Sequence, residues 1–469
     1  MIFRKLYDTG LIAQCLMVYW ALKIMTQVFH RQLTNPLHRA VKGSGVYLFD
    51  DTGKRYLDAS GGAAVSCLGH GDPDVVLAIK AQLDSLAFAH TGFFTSEPAE
   101  ALADFLGAAA PGDIAMVYFV SGGSEAVEAS LKMARQYHLE RGDKERTHFI
   151  ARRQSYHGNT IGALSVGGNI WRREPFKEML IEATHIAPCY AYRDCRKDES
   201  EKEYGERVAS ELETEILRIG PERIAAFIAE TVGGATAGVI PPVQGYFARI
   251  REICDQYGVL LILDEVMCGM GRTGTLFAHE QDGIVPDIVC VAKGLGGGYQ
   301  PIGAVLTTER EYRVFQEGTG LFQHGHTYMG HPTACAAALA VQKKIRSKNL
   351  LSQVCKRGED LSQRLHQRFA QHTYIGDIRG RGLFQAIELV KDRTTKEPFD
   401  PALRMHARIK ALAMENGLIC YPSGGTVDGV SGDHVLLAPP FIVELDHLDE
   451  LVEKLGFAID GAFMQAGVV

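Results

Sequence analysis

What most limits the fold of this chain lies between residues 259 and 304, VLLILDEVMCGMGRTG and, after a short interval, DIVCVAKGLGGGYQPIGA. Two apolar runs of strand length stand there. Residues 259–263 are followed at once by Asp264, and residues 287–292 by Lys293. Continuous apolar runs of this length suit central strands of a parallel sheet, which are covered on both faces. Ligands bind such sheets at the carboxyl ends of the strands. The spacing therefore predicts an acid and an amine at one rim.

That pairing has a chemical use. A lysine beside apolar and glycine-rich chain is partly desolvated, which lowers its pKa and makes the neutral amine nucleophilic. Such an amine forms an imine with an aldehyde. Pyridoxal phosphate needs a carboxylate beside its ring nitrogen, and Asp264 and Lys293 together supply both requirements. The same two residues also suit a strand-end Asp capping a helix and a Lys in a solvated turn. The pair alone does not choose between these readings.

Length and charge narrow the field. A chain of 469 residues has room for two or three domains. Its 46% hydrophobic and 22% charged residues are ordinary for a soluble globular enzyme. A net charge of −7 argues against a nucleic-acid or polybasic membrane surface. The ten cysteines form no CxxC pair and no zinc-ligand spacing, which predicts a reducing, cytoplasmic setting and no metal.

Residues 1–24 include an apolar stretch, GLIAQCLMVYWALKI, preceded by Arg4 and Lys5. It is shorter than the ~20 residues of a spanning helix, and no A-x-A cleavage site follows. An added amphipathic helix, or an upstream start with Met25 as the usual first residue, is the expected reading. Asp51-Thr52-Gly53 marks a hairpin. A helix is expected to open at Asp72-Pro73 and run to about residue 88, and another over 98–110. A strand over 116–120 then runs through glycines into a long helix with Ser124 and Glu125 in its first turn, a seat for phosphate. Tyr156-His157-Gly158 puts an aromatic face on a rim loop, where it would stack on a flat ring or plug the core edge. Arg172 and Arg173 follow, able to clamp a carboxylate or to sit solvated. Residues 194–207 read as a charged insertion or helix start ahead of a helix over 208–218. The next strand delivers Glu230 to the rim, a helix over 244–258 leads back to the Asp264 strand, and Thr327 precedes a helix of small residues. Strand and helix alternate from about 115 to 306, as in an α/β domain with a mostly parallel sheet.

Taken together, AVSCLGHGDPDVV, SGGSEAVE, SYHG, AETVGG, LDEVMCGMGRTG, AKGLGGGYQPIGA, HTYMGHP and APPF resemble the class III pyridoxal-phosphate aminotransferases of fold type I, especially the ω-amino acid:pyruvate branch. The motifs stand in the family's order over about residues 35–445. The resemblance implies a large domain with a seven-stranded type of sheet over 76–335. A small α+β domain would be built from 25–75 and 336–469, with residues 1–24 as an extension. It implies that Lys293 carries the cofactor and shuttles the proton, and that Asp264 pairs with the ring nitrogen. Gly123 and Ser124 would hold the phosphate, with Thr327 of a second subunit completing the cup. Tyr156 would stack on the ring, His157 and Gly158 would shape its edge, Val266 would press the opposite face, and Glu230 would orient the site. The enzyme would be a homodimer or a dimer of dimers, moving an amino group from an amine or ω-amino acid to a keto acid, with pyruvate favoured, by ping-pong kinetics.

Three departures bear on substrate choice. Ser121-Gly122-Gly123-Ser124 replaces the usual Asn-Ser-Gly-Ser, and Met267 stands where many relatives have Gln. Leu436 stands where many place an arginine two residues before APP, so carboxylate recognition falls to another group, Arg172 or Arg173. Other readings are an aminomutase on the same fold, a dinucleotide-binding oxidoreductase and a non-catalytic scaffold. No GxGxxG follows the first strand, which counts against the oxidoreductase. Phe93, Phe94, Tyr421 and residues 423–432 are the expected determinants of the donor.

Overall fold

A computed structural model of the protein describes residues 26–34 and 36–468. The expectation for residues 1–24 falls outside the described residues. The described residues divide into two compact units, those of 26–42 with 49–54, and those of 43–48 with 55–468. In the first, Asp50 Oδ1 accepts the amides of Thr52 and Lys54, both at 3.0 Å, and Gly53 takes φ +83°. This is the turn expected at Asp51-Thr52-Gly53.

The second unit holds a seven-stranded sheet. Its strands are β1 (Ile114–Val120), β2 (His148–Arg152), β3 (Ala183–Ile186), β4 (Ile224–Glu230), β5 (Leu260–Asp264), β6 (Ile288–Val291) and β7 (Gly303–Thr308). They lie in the order β1-β7-β6-β5-β4-β2-β3. β7 pairs antiparallel with both β1 and β6, and every other pairing is parallel. The apolar runs behave as their composition demands. All residues of β4, β5 and β6 are buried, because helices cover both sides of the sheet. Phe227, Ala229, Leu261 and Leu263 pack with α4 (Glu201–Ile219) and α5 (Tyr246–Tyr257). The alternate residues, Ala226, Ile228, Leu260 and Ile262, pack with α3 (Gly123–Glu140) on the other face.

Two further helices precede α3, α1 (Pro73–Ser85) and α2 (Glu97–Ala109). α1 starts where Asp72-Pro73 marks it, because Asp72 accepts the amides of Asp74 and Val75, and it ends at Ser85, short of the expected residue 88. The charged stretch before residue 208 proves to be the opening turns of α4. Ser200 and Glu203 form a reciprocal capping box, and Tyr204, Val208, Leu212 and Ile216 give one buried face. Of the two readings of residues 194–207, insertion or helix start, the second holds from residue 201.

After β7 the chain forms α6 (Pro332–Ser347), α7 (Leu350–Phe369), α8 (Met405–Glu415) and α9 (Leu445–Ala466). They accompany an antiparallel sheet of β8 (Ile375–Arg381), β9 (Phe384–Leu389), β10 (Tyr421–Gly424) and β11 (Asp433–Leu437), in the order β8-β9-β11-β10. Val46, Leu57 and Leu68 share one core cluster with Val354, Leu389, Val435 and Leu455, so early and late parts of the chain are packed together.

Candidate active site

The parallel register sets the rim. Glu230, last in β4, pairs with Asp264, last in β5, and Asp264 pairs with Cys290 of β6. Lys293 follows two residues after β6 ends. Glu230, Asp264 and Lys293 face a cavity of about 400 Å³. Of the ten residues expected to form a site, nine line it: Gly123, Ser124, Tyr156, His157, Gly158, Glu230, Asp264, Val266 and Lys293. Thr327 does not; it is exposed on the loop before α6.

Lys293 sits in the left-handed region at φ +43°, a conformation that costs a side-chain-bearing residue energy and marks a held position. Its turn is clamped. The buried Gln342 of α6 donates to the carbonyls of Gly294 and Leu295, each at 2.9 Å, and Gly297 N donates to Lys293 O at 2.9 Å. The lysine keeps some surface toward the cavity while protein surrounds the rest of it. Burial lowers its pKa to about 8, against the opposing pull of Asp264, Glu230 and Cys268. The solvated-turn alternative for Lys293 is thereby excluded.

Asp264 is held at both oxygens. Oδ2 accepts His157 Nδ1 at 2.8 Å, and Oδ1 accepts Val266 N at 3.0 Å. Glu230 accepts the amides of Tyr156 (3.3 Å) and Gly234 (3.2 Å), and burial raises its pKa. Opposite them, α3 opens at Gly123 with no side-chain cap on its amides. Glycine is needed along this wall. A Cβ on Gly123 would come within 2.7 Å of Val266 Cγ1, and one on Gly158, at φ +137°, within 2.6 Å of Ser124 Oγ. Ser124 Oγ accepts Asn159 N at 3.1 Å, which ties the helix start to the Tyr156 loop.

The cavity also uses residues that sequence reasoning passed over: Val65, Cys268, Gly298 and the Gln300-Pro301-Ile302 run. The last lies inside AKGLGGGYQPIGA, where glycines at 296–298 signalled a tight return toward the lysine. Val65 carried no local signal. Leu436 is fully buried among Val232, Met267 and Phe384. Arg172 lies over the Tyr156 ring at 4.7 Å.

Comparison with known proteins shows the family and the fold. The family model for class III aminotransferases matches residues 28–459. An uncharacterized aminotransferase of Schizosaccharomyces pombe is 48% identical, over 91% of this chain and 94% of its own length. A putrescine–pyruvate aminotransferase of Pseudomonas aeruginosa is 36% identical, over 90% and 91%. Among solved structures, the omega transaminase of Pseudomonas jessenii in complex with PMP superposes with a TM-score of 0.89 at 33% identity, covering 95% of this chain and 98% of that one. Class III aminotransferases depend on pyridoxal phosphate and use amine and keto acid substrates. By family match, by fold and by relatives along nearly its whole length, the chain belongs to the class III aminotransferases of fold type I and is an enzyme of the transferase class.

Proposed function

We propose that this enzyme uses pyridoxal phosphate to move an amino group from an amine or ω-amino acid donor to a keto acid, pyruvate in particular. The observation that carries the reading is a lysine amine with a pKa near 8 facing a cavity it shares with a doubly held aspartate. The residues present fit the cofactor. A cavity of about 400 Å³ has room for a substituted pyridine with its phosphate. The bare amides at the start of α3, beside two glycines that admit no side chain, suit the phosphate. Asp264 retains acceptor capacity for a protonated ring nitrogen, and Tyr156 offers a ring face.

When bound, the cofactor supplies an aldehyde for amine exchange and a ring that stores the electrons released at the substrate carbon. Lys293 Nζ, about half neutral near pH 8, takes the proton from that carbon and returns it. Asp264, fixed by His157 Nδ1 and Val266 N, keeps a proton on the ring nitrogen. Val266 and Tyr156 would hold the ring between them, and Glu230 with His157 and Gly158 would line its edge. Donor and acceptor use the same cavity in turn, which gives ping-pong kinetics.

In this reading the working form is a homodimer or a dimer of dimers, with Thr327 of a second copy completing the phosphate cup. The exposure of Thr327 beside Leu321 and Tyr328, both more than half exposed, supports an interface there. The large domain spans 76–335 and the small one 25–75 with 336–469. The scattered cysteines favour a cytoplasmic setting.

The test is the visible spectrum of the purified protein with and without donor amines. A band at about 410–420 nm that falls on adding an amine supports the reading. Its absence even after adding pyridoxal phosphate overturns it. Consumption of added pyruvate separates a transaminase from an aminomutase.

A further inference from the structure

An enzyme that takes amine donors lacking a carboxylate, yet takes a keto acid acceptor, has to recognise a carboxylate in only half of its cycle. A cation fixed deep in the cavity would penalise the neutral donor, because an unpaired buried charge is costly. Leu436 removes one place for such a cation, being fully buried in an apolar cluster. The remaining arginines around the site are mostly committed. Arg152 donates to the Glu230 carbonyl, and the fully buried Arg272 to those of Leu383 and Pro439.

Arg172 is different. Its guanidinium lies 4.7 Å from the centre of the Tyr156 ring and 5.8 Å from that of Trp171. Tyr156 itself lines the cavity with Lys293. Among the described residues, no acceptor takes a hydrogen bond from the Arg172 side chain. Its backbone, in contrast, is tightly held. Asn169 Oδ1 accepts Arg172 N at 3.2 Å, and Asn169 Nδ2 donates to Gln154 Oε1 at 3.2 Å. Gln154 in turn donates to Gly425 O at 2.7 Å, and both Asn169 and Gln154 are buried. The result is a fixed root with a partly exposed cationic head over the ring of Tyr156, adjacent to the cavity that Tyr156 lines and not itself part of that lining. Arg173 is placed otherwise: its Nε is buried without a partner, and its charge bears on His185 of the edge strand β3.

We propose that Arg172, and not Arg173, recognises the carboxylate of the keto acid acceptor. The planar guanidinium matches a carboxylate with two parallel hydrogen bonds. When the ligand has no carboxylate, the cation stays on the Tyr156 ring, where stacking and solvent satisfy it. The donor half of the cycle therefore meets no unpaired charge. This inference rests on the transaminase reading given above.

The experiment compares the native holoenzyme with Arg172→Met and Arg172→Lys, using pyruvate and propanal as acceptors with one carboxylate-free amine donor. A charge-assisted hydrogen-bonded pair corresponds to roughly tenfold to a hundredfold in affinity, so Arg172→Met should raise the KM for pyruvate by that factor. The KM for propanal should change by less than about twofold, since propanal offers no carboxylate to lose. Arg172→Lys should recover part of the pyruvate affinity.

A second readout needs no turnover. The sequence has two tryptophans, and Trp171 touches Arg172. Propionate, an unreactive carboxylate, should change Trp171 fluorescence saturably in the native holoprotein but not in Arg172→Met, and propanamide should leave it unchanged. Trp171→Phe assigns the signal. An unchanged pyruvate KM in Arg172→Met, or equal losses for pyruvate and propanal, would overturn the proposal; the second outcome means that Arg172 merely supports Tyr156. If the native protein consumes neither acceptor, the transaminase reading fails, while the propionate titration still decides whether Arg172 binds a carboxylate.

Discussion

Asp264 and Glu265 are neighbours in the chain, and each is paired with a histidine in the same way. His157 Nδ1 lies 2.8 Å from Asp264 Oδ2, and His279 Nδ1 lies 2.8 Å from Glu265 Oε1. All four side chains are buried, and each imidazole leaves its Nε2 without a partner among the described residues. The carboxylates differ in what else they accept. Glu265 also takes Thr231 Oγ1, Ala278 N and His279 N, which makes four donors on this one carboxylate. Burial pushes its pKa up, but His279 and these donors outweigh burial and hold it low. Among the described residues, the Asp264 side chain takes only Val266 N besides its histidine, and it faces the cavity. Equal pair geometry thus serves two ends. A carboxylate held by four donors fastens the fold, whereas one held by two and facing a cavity is left with an attraction for a ligand.

Substitutions can break this contrast. The largest effect is expected for Asp264→Asn, which keeps the shape and removes the charge facing the cavity. Turnover should fall by roughly 10²-fold or more, while the melting temperature moves little. Glu265→Gln should do the reverse. Leaving His279 and the converging amides without their anion should cost about 1–3 kcal/mol in denaturant unfolding, with turnover per folded molecule nearly unchanged. Equal losses of turnover in the two variants would remove the distinction. A smaller effect is expected for His157→Phe. Loss of one hydrogen bond to Asp264 should weaken binding of pyridoxal phosphate by about tenfold, measured by equilibrium dialysis.

The mildest test is pH. Because burial lowers the Lys293 pKa to about 8, its reactive neutral form grows as pH rises through that value. The rate at which apoprotein captures pyridoxal phosphate should therefore rise from pH 7 to about 9 and then level off. A rise continuing to about pH 10.4, the ordinary lysine value, would show that Lys293 is not desolvated.

Much of this site could be read from the sequence because backbone position decided it. Strand polarity carries Glu230, Asp264 and Lys293 to one rim whatever the side-chain details, and the glycines at 122–123 mark the helix start beside them. What escaped was set by contacts between distant segments. The sequence places His157 on the Tyr156 loop, but its bond to Asp264 joins residues 107 positions apart. The clamp of Gln342 on the Lys293 turn joins α6 to a loop 47 and 48 positions away. Arg172 and Arg173 are indistinguishable as letters and separate only when the short helix Ile170–Arg173 is seen against Tyr156. The opening of α4 was legible only as one of two readings, insertion or helix start, because its exposed face carries so much charge beside the buried spacing of Tyr204, Val208 and Leu212.

The central claim is that Lys293 is the amine that holds pyridoxal phosphate. It is tested most directly by reducing the holoprotein with borohydride, digesting it and locating the pyridoxyl label by mass spectrometry. The account predicts one labelled peptide, modified at Lys293, and none in Lys293→Ala. A label on another lysine, or label retained by the variant, would contradict it.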